Sequence, residues 1–279
     1  MDTVAALLRA SPLAPLEARI LLAHVLGWRR TELITRSDKP LDAAPVDRFR
    51  ALEARRVAGE PVAQLVGSRE FFGLDFEVTP DVLIPRPETE LLVETALAAL
   101  VGRRAPRVLD LGTGTGAIAV AIASVRPDAR IWATDRSAEA LDVAARNSAR
   151  LLDPARPGGP LQFAQGDWYA ALDTAVPHFD VIVSNPPYIA SGDPHLSQGD
   201  LRFEPRGALS DEADGLAAIR TIVAGAPRHL VPGGALWIEH GYDQAAAVRA
   251  LLTARGLLAV SSARDLAGIE RISGGQTPG

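Results

Sequence analysis

From residue 107 onward the chain alternates short apolar runs with helical patterns, and this alternation constrains the fold more than any other feature of the sequence. The predicted strands are residues 108–111, 129–134, 161–164, 179–184 and 235–239, and the predicted helices are residues 117–124, 138–151, 216–229 and 244–254. Strands that alternate with helices favour a parallel sheet with helices on both faces. We therefore predict an α/β fold built on a doubly wound, mostly parallel sheet.

The first part of the chain has a different pattern. Apolar residues recur at helical spacing over residues 16–26, and Pro45 begins a second predicted helix that ends near Val57. Because this part contains no strand-like alternation, we predict a small α-helical domain over residues 1–62. A run that alternates around Gly73 predicts a β-hairpin within a connector, residues 63–85.

The remaining chain divides into a domain and a tail. The predicted catalytic domain covers residues 86–272, and Pro87 can occupy the first turn of its opening helix. Residues 273–279 are rich in Gly, Ser and Pro, so we predict a disordered tail. The tail includes Gly274-Gly275-Gln276, which we interpret as a chance tripeptide in a glycine-rich segment.

Composition excludes several classes of function. The net charge of −5 and the absence of a basic stripe argue against direct nucleic-acid binding. The chain has no cysteine, which excludes thiol catalysis and fits the cytoplasm. No apolar run has the length of a membrane span, and the five histidines show no metal-binding spacing, so we expect no membrane and no metal partner.

A glycine-rich loop lies between the first predicted strand and helix of the sheet. Its residues are Asp110, Gly112, Thr113, Gly114, Thr115 and Gly116. Glycines there allow a tight turn and close approach of a ligand to a helix N-terminus. Asp135 ends the next strand, at about the distance where an acid binds ribose hydroxyls. The pair predicts a site for an adenosine-containing cofactor.

The loop leaves the cofactor open between two candidates, besides the alternative of a tight turn without a ligand. The spacing also fits a nicotinamide dinucleotide fingerprint. Asp110, however, suits the cationic sulfonium of S-adenosylmethionine better than a pyrophosphate, which it would repel.

A second motif, Asn185-Pro186-Pro187-Tyr188, follows the strand predicted over residues 179–184. Neither proline can donate to a sheet, so the strand must end there. The Asn185 side-chain oxygen and the Pro186 carbonyl can accept both hydrogens of a planar NH2 group, while Tyr188 offers a flat apolar face. The alternative is an ordinary proline-rich turn. Its place on the fourth strand, after a glycine loop and Asp135, favours the functional interpretation.

Further segments make the likeness specific. They are Ile84-Pro85-Arg86-Pro87-Glu88-Thr89-Glu90, Gly166-Asp167-Trp168, Arg202-Phe203-Glu204-Pro205 with Ala208-Leu209 and Asp214-Gly215-Leu216, Pro232-Gly233-Gly234, Glu239-His240-Gly241 with Gln244, and Arg264-Asp265-Leu266-Ala267-Gly268. Together with the Asn-Pro-Pro-Tyr motif they resemble the release-factor glutamine methyltransferase family, PrmC or HemK, from about residue 67 to residue 272.

The resemblance implies a seven-stranded, Rossmann-like methyltransferase sheet and an activity. The family transfers a methyl group from S-adenosylmethionine to the side-chain amide nitrogen of the glutamine in the GGQ motif of peptide-chain release factors. The glycine loop would hold the methionine part of the cofactor, Asp135 the ribose, and Asp167 with Trp168 the adenine. Asn185 and Pro186 would bind the substrate amide, and Pro187 and Tyr188 would shape the slot. The expected product is S-adenosylhomocysteine, and the expected enzyme is a monomer.

The sequence leaves the role of Arg86 and the exact activity open. Arg86 is either a solvated loop residue or a substrate contact. The long segment over residues 189–214 lacks periodicity, so we predict a lid over the site, with Arg202 and Glu204 as its attachments.

The alternative activity is an adenine-N6 nucleic-acid methyltransferase, which applies the same amide-edge recognition to a flipped base. A dehydrogenase would leave the motif at Asn185 unexplained, and a non-enzymatic binding module would need a vacant glycine loop.

Overall fold

The computed structural model describes residues 2–279, which form two compact units. One unit comprises the residues up to Ser68 together with Gln198–Phe203, and the other comprises Arg69–Ser197 and Glu204–Gly279. The first boundary lies six residues beyond the predicted residue 62, because the short helix Val62–Val66 packs into the core of the helical unit.

The first unit is helical. Its helices are α1 (Val4–Ala10), α2 (Pro15–Leu26), α3 (Arg30–Thr35), α4 (Ala43–Val57) and α5 (Val62–Val66). Pro15 occupies the first turn of α2, where its missing N–H costs nothing, and Gly27 ends the helix in the left-handed conformation with φ of 64°. Leu21, Leu22 and Phe49 form the centre of its core. The helices predicted over residues 16–26 and from Pro45 correspond to α2 and α4.

A short piece from later in the chain also belongs to this unit. Arg56 forms an ion pair with Asp200, with 2.8 Å between Nη1 and Oδ1. The Gln64 side chain donates to the carbonyl of Phe203 at 3.1 Å, and Arg202 donates to the carbonyl of Ala58 at 2.6 Å. Gln198–Phe203 is therefore held by polar contacts with α4, α5 and the turn between them.

The second unit contains the hairpin and the seven-stranded sheet. The hairpin strands are β1 (Ser68–Phe71) and β2 (Leu74–Glu77). The sheet strands are β3 (Arg107–Leu111), β4 (Arg130–Asp135), β5 (Gln162–Gln165), β6 (Phe179–Ser184), β7 (Leu230–Glu239), β8 (Leu258–Arg264) and β9 (Glu270–Gln276). Their order is β5-β4-β3-β6-β7-β9-β8, with β3 to β7 parallel and β9 antiparallel to both of its neighbours. This confirms the predicted fold class.

Helices cover both faces of the sheet. They are α6 (Glu90–Ala99), α7 (Ala117–Val125), α8 (Ala138–Leu151), α9 (Arg206–Leu209), α10 (Ala217–Gly225) and α11 (Ala245–Ala254). Val108 and Val181 belong to the core on one face, whereas their neighbours Leu109 and Ile182 belong to the core on the other. Because successive strand residues point to opposite faces, strands buried on both sides read as continuous apolar runs. No helix in the described part of the chain is long and apolar enough to cross a membrane.

The structure corrects the predicted disordered tail over residues 273–279. Strand β9 continues to Gln276 and pairs with β7 on one side and β8 on the other. A Cβ at Gly274 would lie 2.2 Å from Trp237 Cε3, so only glycine fits between the strands. The glycines are therefore packing residues, and Gly274-Gly275-Gln276 forms the end of a strand that is paired on both sides.

Candidate functional site

The two predicted motifs lie side by side because their strands are neighbours. Strand β3 sits between β4 and β6, where the strand order reverses, and open parallel sheets bind ligands in the crevice at such a point. Leu111 pairs with Ser184 in β6 and with Thr134 in β4. The Ser184 hydroxyl also donates to the carbonyl of Leu111 at 2.7 Å. The glycine loop and the Asn-Pro-Pro-Tyr motif therefore begin at the same level of the sheet edge.

The glycine loop is fastened to the end of β4. The N–H groups of Gly112 and Thr113 both donate to the carbonyl of Thr134 at 2.9 Å. Gly112, Gly114 and Gly116 have φ of 74°, 54° and 79°, which is the left-handed region that side chains disfavour. A Cβ on Gly116 would lie 3.1 Å from Cβ of Ala144, so this glycine also permits close packing of α7 against α8.

Asp135 orders two backbone segments at once. Its Oδ2 accepts from the N–H of Gly114 at 2.9 Å, and its Oδ1 accepts from the N–H of Ser137 at 3.0 Å. Ser137 in turn caps α8 by accepting from the N–H of Ala140. Each carboxylate oxygen has a second lone pair, so Asp135 can accept ribose hydroxyls in addition to these bonds.

Asp110 lies beneath the loop and does not line the cavity. The Thr113 hydroxyl donates to its Oδ2 at 2.7 Å, whereas Oδ1 is buried without a hydrogen-bond partner among the described residues. Burial raises the pKa of Asp110 to about 7; the Thr113 hydrogen bond opposes this rise and the charge of Asp135 adds to it. The acid therefore supports Thr113, which does line the cavity, and adds negative potential below it.

Trp168 is half-buried beside the glycine loop. Its φ of 50° is in the left-handed region, which is strained for a non-glycine residue. A Cβ on Gly112 would lie 3.4 Å from Cζ3 of Trp168, so the indole rests against the loop backbone. Asp167, the preceding residue, is exposed. Both residues line the cavity.

The Asn185 side chain has a defined hydrogen bond. Its Nδ2 donates to Oγ1 of Thr89 at 3.1 Å. Thr89 is buried in the helical turn before α6; it belongs to a segment that carries the family resemblance, but the sequence assigned no role to it. Pro186 is buried next to Asn185, while Pro187 lines the cavity.

Tyr188 is fastened at both ends. Its carbonyl accepts from Nε2 of Gln244 at 3.0 Å, and its hydroxyl lies 3.4 Å from Oε1 of Glu239. Burial and the nearby Glu239 carboxylate raise the pKa of Tyr188, so its hydroxyl stays protonated and donates to Glu239. Tyr188 therefore stabilises the motif from behind and is not part of the cavity wall.

A cavity of about 530 Å³ lies over the glycine loop, within the usual size range for small-molecule sites. Its wall includes most of the predicted residues: Arg86, Gly112, Thr113, Gly114, Thr115, Asp135, Asp167, Trp168, Asn185 and Pro187. Asp110, Gly116, Pro186 and Tyr188 lie outside it. The wall also includes Phe71, Asp81, Val82 and Leu83 from the hairpin and connector, which sequence reasoning assigned no role. Those residues carry no motif that could have identified them.

Arg86 has an acidic partner. It forms an ion pair with Glu204, whose side chain is fully buried and also accepts from the N–H of Ile84 at 2.8 Å. A single arginine thus joins the connector to the segment that follows the Asn-Pro-Pro-Tyr motif. The predicted substrate contact for Arg86 stays a prediction, since the guanidinium is only partly exposed at the wall.

The two ends of the segment predicted as a lid, residues 189–214, lie side by side. Ile189 N–H donates to the carbonyl of Leu209 at 3.0 Å, and Ser191 N–H donates to that of Ala213 at 3.0 Å. The backbone hydrogen bonds therefore hold the beginning of the segment against its end. Its second half borders the cavity through Pro205, Gly207, Ala208 and Ser210, which is the position a lid requires.

Comparisons with known proteins agree with this architecture. Family models for the "PrmC N-terminal domain" and the "Methyltransferase small domain" match residues 1–67 and 87–199. A methyltransferase structure from Pyrococcus furiosus matches 82% of this chain and 100% of its own, with a TM-score of 0.54 at 20% identity. The fold is therefore that of the methyltransferases.

Two curated relatives define the family. The release factor glutamine methyltransferase of Burkholderia pseudomallei is 72% identical over 277 residues, which cover 99% of this chain and 97% of the relative. That of Bordetella pertussis is 60% identical over 269 residues, which cover 96% and 97%. The chain belongs to the release factor glutamine methyltransferase family, as the resemblance in the sequence predicted.

Proposed function

We propose that this protein transfers a methyl group from S-adenosylmethionine to the side-chain amide nitrogen, N5, of the glutamine in the GGQ motif of peptide-chain release factors. The observation that carries the proposal is the pairing of Leu111 with Ser184, which brings the glycine loop and Asn185 to one sheet edge. A cofactor site and an acceptor for a planar amide are thereby adjacent. S-adenosylhomocysteine is the second product.

The residues present fit the cofactor. The buried Asp110 carboxylate beneath the loop favours a cationic ligand, and Thr134, which lines the cavity, has a buried hydroxyl without a partner among the described residues. Residues 112–116 would hold the methionine part, Asp135 the ribose, and Asp167 with Trp168 the adenine. S-adenosylmethionine supplies, when bound, an electrophilic methyl group on a cationic sulfur.

The protein contributes the orientation of the substrate amide. An amide nitrogen is a poor nucleophile because its lone pair is delocalised into the carbonyl. Oδ1 of Asn185 and the carbonyl of Pro186 accept hydrogen bonds from the two N–H groups of the substrate amide. These hydrogen bonds orient the nitrogen toward the methyl group and stabilise the positive charge that develops on the nitrogen. The two prolines keep both acceptors rigid. No strong base is needed, since the proton can leave after methyl transfer.

We further propose that the enzyme acts as a monomer in the cytoplasm and that it binds its protein substrate without direct contact to nucleic acid or membrane. The absence of cysteine fits the cytoplasm, and the net charge of −5 argues against direct contact with nucleic acid. The helical unit would recognise the release factor.

The test compares acceptors side by side. Labelled S-adenosylmethionine is offered with a release factor, with its GGQ Gln→Ala variant, and with duplex and single-stranded DNA. We expect label on the wild-type release factor alone. Label on DNA alone would transfer the protein to the base-methylating class, and label on the Gln→Ala variant would place the methyl group on another residue.

A further inference from the structure

Glu239 lies at the sheet edge beside Asn185. Ser184 in β6 pairs with Ile238 in β7, and the two strands are parallel, so Asn185 and Glu239 are the next residues on neighbouring strands. Glu239 is only 2% exposed, and its Oε2 has no hydrogen-bond partner in the described part of the chain. A buried carboxylate is costly unless it is compensated, which calls for a role at this position.

Three side chains connect Glu239 to the site. Nδ2 of Asn185 donates to Oγ1 of Thr89 at 3.1 Å. The Thr89 hydroxyl acts on the same carboxylate by lowering the pKa of Glu239, which stabilises its charged form. The Tyr188 hydroxyl approaches Oε1 of the same carboxylate at 3.4 Å. Thr89, Asn185 and Tyr188 come from two separate segments, and Glu239 contacts both.

The direction of these hydrogen bonds follows from the chemistry of the groups. An ionised carboxylate can only accept hydrogen bonds, so the hydroxyl of Thr89 must donate its single hydrogen bond to Glu239. Oγ1 of Thr89 is then left as an acceptor, and the Asn185 amide must present Nδ2 to it. The amide oxygen, Oδ1, therefore takes the opposite position, which is the one required for accepting an N–H from a substrate amide.

We propose that Glu239 and Thr89 are positioning residues that fix the orientation of the Asn185 amide, so that its oxygen and not its NH2 group faces the substrate. The inference rests on the proposed function, because it concerns the same acceptor. With a neutral amide in place of Glu239 the chain of hydrogen bonds can run in reverse. Asn185 then turns its NH2 group toward the NH2 group of the substrate, and two donors face each other.

The charge state of Glu239 adds a pH dependence. Burial is the main cause that raises the pKa of Glu239 from 4.5 to about 7, and the charge of Glu88 also raises this pKa. The hydroxyls of Thr89 and Tyr188 and the charge of Arg271 lower it. Above about pH 7 the carboxylate is ionised and only accepts. As the pH falls through that value the carboxyl group gains a proton that it can donate to Thr89, and the fixed direction is lost.

The variants for the test are Glu239→Gln, Thr89→Val and Thr89→Ser, with Glu94→Gln as a control because Glu94 is exposed on α6. At pH 8 we expect Glu239→Gln and Thr89→Val to lower kcat about 10- to 100-fold, the effect of a lost and opposed hydrogen bond. The Kd for S-adenosylmethionine should change less than about twofold. Thr89→Ser restores the hydroxyl and should recover most of kcat, and Glu94→Gln should match the wild type.

Two readouts separate orientation from mere structural support. Wild-type kcat should fall below pH 7, whereas the residual kcat of Glu239→Gln should lack this step. In the protein without substrate, the side-chain amide resonance of Asn185 should shift in Glu239→Gln and Thr89→Val. Equal kcat in wild type and Glu239→Gln, or a Thr89→Ser variant as impaired as Thr89→Val, would overturn the inference. If the wild type itself does not methylate the release factor, the proposed function fails instead, and the amide resonances still test the orientation.

Discussion

Gly114 and Gly116 provide a matched pair for testing how the glycine loop works. Both have a left-handed φ, 54° and 79°, so a Cβ strains either position. Their surroundings differ. A Cβ on Gly114 has nothing within 4 Å and projects into open space at the cavity, whereas one on Gly116 lies 3.1 Å from Cβ and 3.2 Å from Cα of Ala144. The first glycine keeps room for a ligand, and the second keeps α7 and α8 close.

The expected magnitudes follow from these distances. A left-handed alanine costs about 1–2 kcal/mol, which is the whole penalty expected for folding of Gly114→Ala. Overpacking adds about 1–3 kcal/mol, so Gly116→Ala should lower the free energy of unfolding by about 2–5 kcal/mol. The order reverses for cofactor affinity, because the new methyl group at Gly114 occupies the cavity and the one at Gly116 does not.

Urea denaturation of both variants gives the free energies of unfolding, and calorimetric titration with S-adenosylmethionine gives the affinities. We expect Gly116→Ala to be the less stable variant and Gly114→Ala the weaker binder. If both variants lose the same stability, the close packing of α7 on α8 does not require a glycine. If Gly114→Ala binds the cofactor as the wild type does, the cavity over the loop is not the cofactor site.

Two further predictions concern buried positions. Asp110→Asn should stabilise the protein more at pH 8 than at pH 5. The reason is that a carboxyl group whose pKa rises from 3.8 to about 7 on folding costs stability as the pH increases through that window. Thermal unfolding at the two pH values measures the effect, and an equal stabilisation at both would contradict the prediction. Gly274→Ala should lower the free energy of unfolding by about 2–3 kcal/mol, because its Cβ would lie 2.2 Å from Trp237 Cε3 and overpack the sheet. Gly192→Ala, with nothing within 4 Å, is the control for that denaturation experiment, and equal losses would refute the packing role.

The parallel half of the sheet could be predicted because its strands are buried on both faces. Val181 and Ile182 pack against different helical layers, so the strand reads as one apolar run. Strands β8 and β9 have weaker signals. Strand β8 is largely exposed, and β9 contains two glycines, which resemble a flexible tail in a sequence and a close contact with Trp237 in the structure.

The candidate site likewise contains residues that the sequence indicates and residues whose contacts only the structure shows. Residues 112–115, Asp135 and Asn185 belong to local motifs with a chemical reason for their spacing, so their place in one cavity wall could be predicted from the sequence. Thr89 belongs to a segment that carries the family resemblance, but its role could not be predicted, since its hydrogen bond with Asn185 spans 96 residues of sequence. The partner of Arg86 is likewise distant, because Glu204 lies 118 residues further along the chain. The sequence shows these residues in separate segments, but it does not show which of their side chains are in contact.

The central claim is that Asn185 presents a substrate amide for methylation. The most direct measurement locates the methyl group by tandem mass spectrometry on a release factor treated with wild type or Asn185→Ala, with the Kd for S-adenosylmethionine measured for both proteins. We expect one methyl group on the GGQ glutamine with the wild type, almost none with Asn185→Ala, and similar Kd values. Methylation of that glutamine by Asn185→Ala at the wild-type rate would contradict it.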